Sequence, residues 1–262
     1  MGLRRGFITL ALLLLAAAAL DGVANAETVQ SGNVRVSFQA GFSPHKLPRE
    51  RPAPITAEVE GRISTTDGSQ PPPLRTMRVE LNAAAQIDAR GLPACASSAL
   101  QSTSSELARE RCGPAQVGTG TFEALLQFGG RPLTIDGRAL VFNGRVAGHE
   151  GMLIHIFIAT PVRVALVVPL RISRRAGSYG TVLTTKVPQL VSGFGSITEL
   201  RLRIGRTFTY RGRRHSYLSA ACAAPPGFPG GPFVLARAAF GFPGGRTMHA
   251  TLTSNCLVRE SS

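Results

Sequence analysis

The chain contains no tryptophan and only three tyrosines. Carbohydrate-binding surfaces and single-stranded nucleic-acid grooves usually present exposed aromatic platforms, so both classes lose support and no specific nucleic-acid partner is expected. Acidic residues are few, fifteen against twenty-nine lysines and arginines. A glycosidase needs two opposed carboxylates. Asp67, Asp88, Asp136, Glu123 and Glu150 stand in no pattern that pairs them, and Asp67 and Asp136 each precede glycine as turn formers do. No G-x-S-x-G is present, so a serine hydrolase would need a dispersed Ser/His site assembled in space. Nor is there an HExxH. His149-Glu150 and His155 place two histidines six residues apart, roughly 20 Å along a strand, too far to share an ion. His155 reads as a buried, hydrogen-bonded core histidine and His149 as a loop residue.

Long apolar runs are also scarce. One lies at the start, where Arg4 and Arg5 precede the apolar residues 7–20 and Ala24-Asn25-Ala26 follows. That is the n-region, h-region and small-x-small site of a Sec-type signal peptide, cleaved after Ala26. The run falls short of the ~20 residues that span a bilayer. The expectation is a secreted, extracellular chain that is not membrane-spanning after cleavage. Residues 151–173 form the second run, but His155, Pro161, Arg163, Pro169 and Arg171 interrupt it. An arginine near mid-bilayer costs at least ~2.5 kcal/mol, and each proline removes a backbone donor. From Val162 to Ile172 the even positions are all apolar while Arg163 and Arg171 sit among the odd ones, which is period two. Residues 152–159 are apolar on both faces. Two neighbouring core strands fit; a membrane helix does not.

Removing residues 1–26 takes Arg4, Arg5 and Asp21 away and leaves 236 residues with a net charge of +13. Lys46 and Lys186 are the only lysines. Charge of this size attracts anionic polymers and surfaces. Four cysteines remain, Cys95, Cys112, Cys222 and Cys256, and an even number in an exported chain points to two disulfides. Of three possible connectivities, Cys95–Cys112 with Cys222–Cys256 is preferred because each pair brackets a self-contained unit. A four-cysteine zinc site lacks any CxxC pair. No metal or other cofactor is implied.

Alternation predicts strands over 28–38, 55–64, 74–87, 115–128, 133–142, the core pair, 181–187, 198–209, 216–221, 233–240 and 246–256. In 74–87, Met77, Val79 and Leu81 point one way and Arg78, Glu80 and Asn82 the other. Proline makes 43–54 an extended loop that is neither helix nor central strand. Breaks are expected at Gly129-Gly130, Asn143-Gly144, 193–195 and 225–231. One helix is expected between Cys95 and Cys112, with Thr103 as N-cap, Glu106 reaching back and Gly113-Pro114 as the stop. The turn Gly-Phe-Pro-Gly-Gly occurs at 227–231 and again at 241–245, at opposite ends of one strand. Phe228 and Phe242 within it read as core plugs. Together these give a mainly β fold, an antiparallel β-sandwich or alternatively a β-barrel-like arrangement, with one short disulfide-bracketed helix. Residues 27–262 form a single all-β domain, with a sub-boundary conceivable in the helical connector 91–117.

Residues 91–95 (Gly-Leu-Pro-Ala-Cys), Leu100-Gln101 and 108–120 (Ala-Arg-Glu-Arg-Cys-Gly-Pro-Ala-Gln-Val-Gly-Thr-Gly) resemble a family of exported, arginine-rich, two-disulfide bacterial proteins of unknown function. The resemblance runs from about Ser43 to the C-terminus. It implies a helix-linked cysteine pair followed by β-strands, and it carries over no catalytic residue.

The arginines are the remaining functional signal. Leu200, Leu202 and Ile204 face inward, so Glu199, Arg201 and Arg203 face outward, as do Arg163 and Arg171 on the core strand. If these strands share a sheet, the four arginines form a basic face, extended by Arg211, Arg213 and Arg214. Such a face suits an anionic cell-wall or extracellular polymer; the plainer reading is the solvated side of a half-exposed sheet. The functional expectation is a non-catalytic binding or structural module of the cell envelope or extracellular space. A secreted hydrolase with a dispersed Ser/His site is the alternative.

Overall fold

A computed structural model describes residues 26–128, 131–160, 163–190 and 195–259. The expected signal peptide, Ala26 apart, lies outside them, as do Gly129-Gly130 and Pro161.

The alternation read as one strand over 28–38 is a hairpin, β1 (Ala26–Ser31) and β2 (Val34–Ser43). Gly32 supplies the positive φ of its turn. The proline-rich stretch that follows contributes β3 (Lys46–Leu47) and β4 (Ala53–Pro54), each outermost in its sheet. An edge is where missing donors are tolerated. β5 (Thr56–Thr65), β6 (Thr76–Leu81) and β7 (Ala85–Ile87) precede the helical connector.

Two helices lie there rather than one, α1 (Ser97–Leu100) and α2 (Ser105–Cys112). Ser104, not Thr103, caps α2: its hydroxyl accepts from the Leu107 amide at 3.3 Å. The Thr103 hydroxyl instead donates to the Leu100 carbonyl at 2.7 Å. Then come β8 (Gln116–Phe128), β9 (Arg131–Val146), β10 (His149–Ile158), β11 (Val164–Arg174), β12 (Thr181–Lys186) and β13 (Gly195–Ile204). His149 therefore opens a strand instead of sitting in a loop. β14 (Thr207–Tyr210), β15 (Arg213–Ser216), β16 (Leu218–Ala220), β17 (Gly230–Gly241) and β18 (Thr247–Val258) complete the chain.

Thirteen strands form one continuous sheet in the order β1-β2-β5-β13-β8-β9-β10-β11-β12-β6-β17-β18-β3. It curls into a half-barrel, so the two separate layers of a sandwich are not confirmed. The curl brings its two ends together. Val34, Val36 and Phe38 of β2 share a core with Phe240, Met248 and Leu252. The Phe38 and Phe240 rings meet edge to face at 5.6 Å. The Glu27 carboxylate on β1 accepts from the Thr251 amide on β18. Ile87 and Leu218 of the small sheet β4-β16-β7 line the interior together with Ile55, whose amide donates to the Leu218 carbonyl at 3.1 Å.

β10 and β11 pair antiparallel in the middle of this sheet, as the two core strands were expected to do. The expected break at Asn143-Gly144 is absent: β9 continues to Val146 and turns at Ala147-Gly148. Asn143 is buried and donates to the Pro93 carbonyl at 2.9 Å. Gly144 is there for close approach, because a Cβ would lie 2.9 Å from the Cys95 carbonyl oxygen. Both disulfides form with the local pairing, Cys95–Cys112 and Cys222–Cys256. Paired cysteines suit an oxidising, extracellular compartment. No helix among the described residues is long and apolar enough to cross a membrane.

Candidate ligand cavity inside the curled sheet

Period-two patterning gives each strand an inner and an outer face, and the curl gathers the inner faces around one space. Met152 and Ile154 of β10, Val168 and Leu170 of β11, and Leu200 and Leu202 of β13 all face it. The cavity measures about 240 Å³ and its wall is almost wholly apolar. Its charged lining residues are Arg62, Arg75 and Glu199. Arg62 and Glu199 stand opposite each other on β5 and β13 and form an ion pair.

Outside, the expected arginine face resolves into separate groups. Across β5 and β13 the register sets Glu58 against Arg203, Glu60 against Arg201 and Arg62 against Glu199. Arg203 lies 2.7 Å from Glu58, and Arg201 lies 3.2 Å from Glu60 and 2.6 Å from Glu199. Arg201 and Arg203 are thus neutralised by neighbours. Arg171 sits on β11 and Arg163 immediately before that strand, four ladder steps from β13, roughly 19 Å by strand spacing. Eight residues separate them, about 26 Å along an extended chain.

The outer face between the two groups is occupied by the helical connector. Leu100, Ala108 and the Cys95–Cys112 bridge pack on Leu140, Phe142 and Leu153. The remaining three, Arg211, Arg213 and Arg214, lie together and exposed on the β14–β15 hairpin, where Arg211 stacks over the Tyr210 ring at 5.3 Å. Gly91 makes the close fit beneath this hairpin: a Cβ there would fall 2.2 Å from the Tyr210 ring. The structure brings these three together and does not join them to the other four.

His155 is the buried histidine that its sequence context suggests. Fully enclosed beneath the helices, its Nε2 lies 3.0 Å from the Thr103 carbonyl and 3.2 Å from the Thr103 hydroxyl. Burial holds its pKa below the ordinary imidazole value. The ring is therefore neutral, with Nε2–H donating to that carbonyl. Burial likewise pushes the Tyr217 phenol up, and its hydroxyl has no hydrogen-bond partner among the described residues. Among those residues no cluster of three or more His, Cys, Asp or Glu could hold a metal.

Of the two phenylalanines in the repeated turns, Phe242 is a core plug and Phe228 is exposed. Arg49 holds the Phe228 loop by donating to the carbonyls of Ala224, Pro225 and Phe228.

The lining residues were legible as core but not as the wall of a cavity. Alternation says which side chains point inward, not whether they meet. Arg75 had a signal that was overlooked: it lies two residues before Met77, in phase with Met77, Val79 and Leu81. Comparison with protein-family models, with curated proteins and with solved structures finds no match.

Proposed function

We propose that this chain is an exported, non-catalytic binding module of the cell envelope or extracellular space that holds one small apolar group or chain inside its curled sheet. The cavity of about 240 Å³ carries the reading. Protein interiors are close-packed and leave few voids larger than a water. At ~24 cal/mol per Å³, a core closed over that unfilled volume forgoes about 6 kcal/mol. That is comparable with the net stability of a whole domain. An apolar guest recovers the lost contacts; a polar one would leave its own groups unsatisfied. The space exceeds the ~150 Å³ of an apolar cavity known to take benzene.

The test is saturation binding of the neutral fluorophore N-phenylnaphthylamine to the oxidised protein. The wild type is expected to bind one equivalent, and Val168→Phe, which fills the space, to bind at least tenfold more weakly while melting normally. A folded wild type that takes up no dye overturns the reading.

A second reading rests on the hairpin. Arg211 in the two-residue turn and Arg213 and Arg214 on β15 have no carboxylate within ion-pair distance among the described residues, a fit for an anionic polymer. Retention on immobilised polyphosphate that falls steeply with salt, and drops when all three become glutamine, supports it. Unchanged elution of the triple variant removes it.

A further inference from the structure

The cavity has one charged lining residue without a counter-charge. Arg75 lies just before β6, and the ladder continues through it: its amide donates to the Gly241 carbonyl at 2.8 Å, and its carbonyl accepts from the Val187 amide at 2.9 Å. Continued pairing preserves the pleat, so side chains still alternate there. Thr76 is exposed and Met77 lines the cavity, which places Arg75 on the inner face at the head of the row Met77, Val79, Leu81. It is half-buried and precedes the first residue of β6, whose other end, Leu81, leads into β7 of the small sheet. Arg62 and Glu199, the other charged liners, pair with each other. Arg75 has no carboxylate within ion-pair distance among the described residues. A guanidinium so placed, against an apolar wall and unpaired, is costly to desolvate and offers two parallel donors to a planar anion.

We infer that the ligand is a single-chain amphiphile whose apolar tail fills the cavity and whose anionic head, a carboxylate or a phosphate, rests on Arg75. This rests on the cavity reading above and adds the chemistry of the head group. The Arg62–Glu199 pair leaves no net charge of its own at the wall, so Arg75 sets the sign.

Displacement of bound N-phenylnaphthylamine by dodecanoate, dodecyl phosphate and dodecanol tests it. From the wild type, the better of the two anions is expected to displace the dye at about tenfold lower concentration than dodecanol, the worth of one charge-assisted contact. Whichever anion is better assigns the head as carboxylate or phosphate. In Arg75→Gln the gap between anion and alcohol closes, dodecanol is unaffected, and Arg75→Lys keeps part of the gap. A check on the wild type alone guards against misfolded variants: the dodecanoate advantage should shrink as pH falls through the carboxyl range, roughly 4–5, with dodecanol unchanged. Equal displacement by anion and alcohol in the wild type, or a gap that survives Arg75→Gln, overturns the head-group assignment and leaves the cavity reading intact. Dye that never binds overturns the cavity reading itself.

Discussion

The outer face of the curled sheet is covered in two different ways. Over β5 and β13 it is wet, and three acid–arginine pairs face each other rung by rung. Over β9, β10 and β11 it is dry, because the disulfide-tied helices sit on Leu140, Phe142 and Leu153. Inner-face residues of β5, β10, β11 and β13 line the same cavity. The difference shows what the two hydropathy patterns report. Strict alternation marks a strand with one face in water, and continuous apolarity marks a strand covered twice. β10 is apolar on both faces because it serves the cavity and the helical cover at once. β13 alternates because it serves the cavity alone.

If that contrast is right, equal truncations on the two faces of the same region should cost different amounts. Leu153→Ala removes a fully enclosed side chain from the packed outer core and is expected to destabilise by about 2–5 kcal/mol. Leu170→Ala removes the same atoms from the cavity wall, where fewer contacts exist to be lost. Urea denaturation should show Leu153→Ala as the costlier by about 1 kcal/mol or more. Equal costs would mean that the inner face is packed as tightly as the outer.

Next in size is the cover itself. Replacing Cys95 and Cys112 by serine opens a link of sequence separation 17. The chain-entropy model puts the loss at about 3 kcal/mol. Because the helices then lift more easily from β10, amide exchange at Leu153 and His155 should accelerate more than at Leu200 and Leu202. Uniform acceleration would show the cover to be no separate unit.

Most of this architecture was legible in the chain, for reasons that individual residues make plain. The alternation over residues 162–172 announced the strand that pairs as β11 from Val164, and Cys95 and Cys112 announced their bridge by flanking a capped helix. Thr103 was misread because Thr-Ser-Ser-Glu contains two adjacent candidate caps, and tertiary contact with His155 settled which hydroxyl was free. Asn143-Gly144 looked like a turn because its local chemistry is that of a turn. The long-range bonds from Asn143 to residues 92–93 overrode it. The arginine face failed for a topological reason. Alternation placed Arg163, Arg171, Arg201 and Arg203 outward, but strand order puts β8, β9 and β10 between the two pairs. No local pattern encodes strand order.

His155 offers a chemical test of the dry side. Its pKa is lowered by burial in the folded state, so the unfolded chain binds more protons below the ordinary imidazole value of about 6.5. The stability it contributes is therefore present above that pH and lost as pH falls below it, at up to about 1.4 kcal/mol per pH unit. Thermal melting between pH 7.5 and 5 should drop more for the wild type than for His155→Gln, which can still donate to the Thr103 carbonyl but does not titrate. Parallel curves would show that water reaches the ring.

On the wet side, two substitutions separate a buried rung from an exposed one, and the exposed rung gives the smallest effect. The Glu199 carboxylate is almost fully buried, with its oxygens beside the half-exposed guanidiniums of Arg62 and Arg201. Glu199→Gln leaves both cations facing a neutral amide, and a loss of about 1–3 kcal/mol is expected; it stays below the buried-pair range because both arginines keep much of their water. Glu58 and Arg203 are each about two-thirds exposed, 65% by side chain. Glu58→Gln should cost under about 1 kcal/mol and lose even that in high salt, whereas the Glu199 effect should persist. A salt titration of both variants is decisive, because screening acts through solvent. If both costs vanish together, the ladder is solvated throughout and Glu199 gains nothing from its burial.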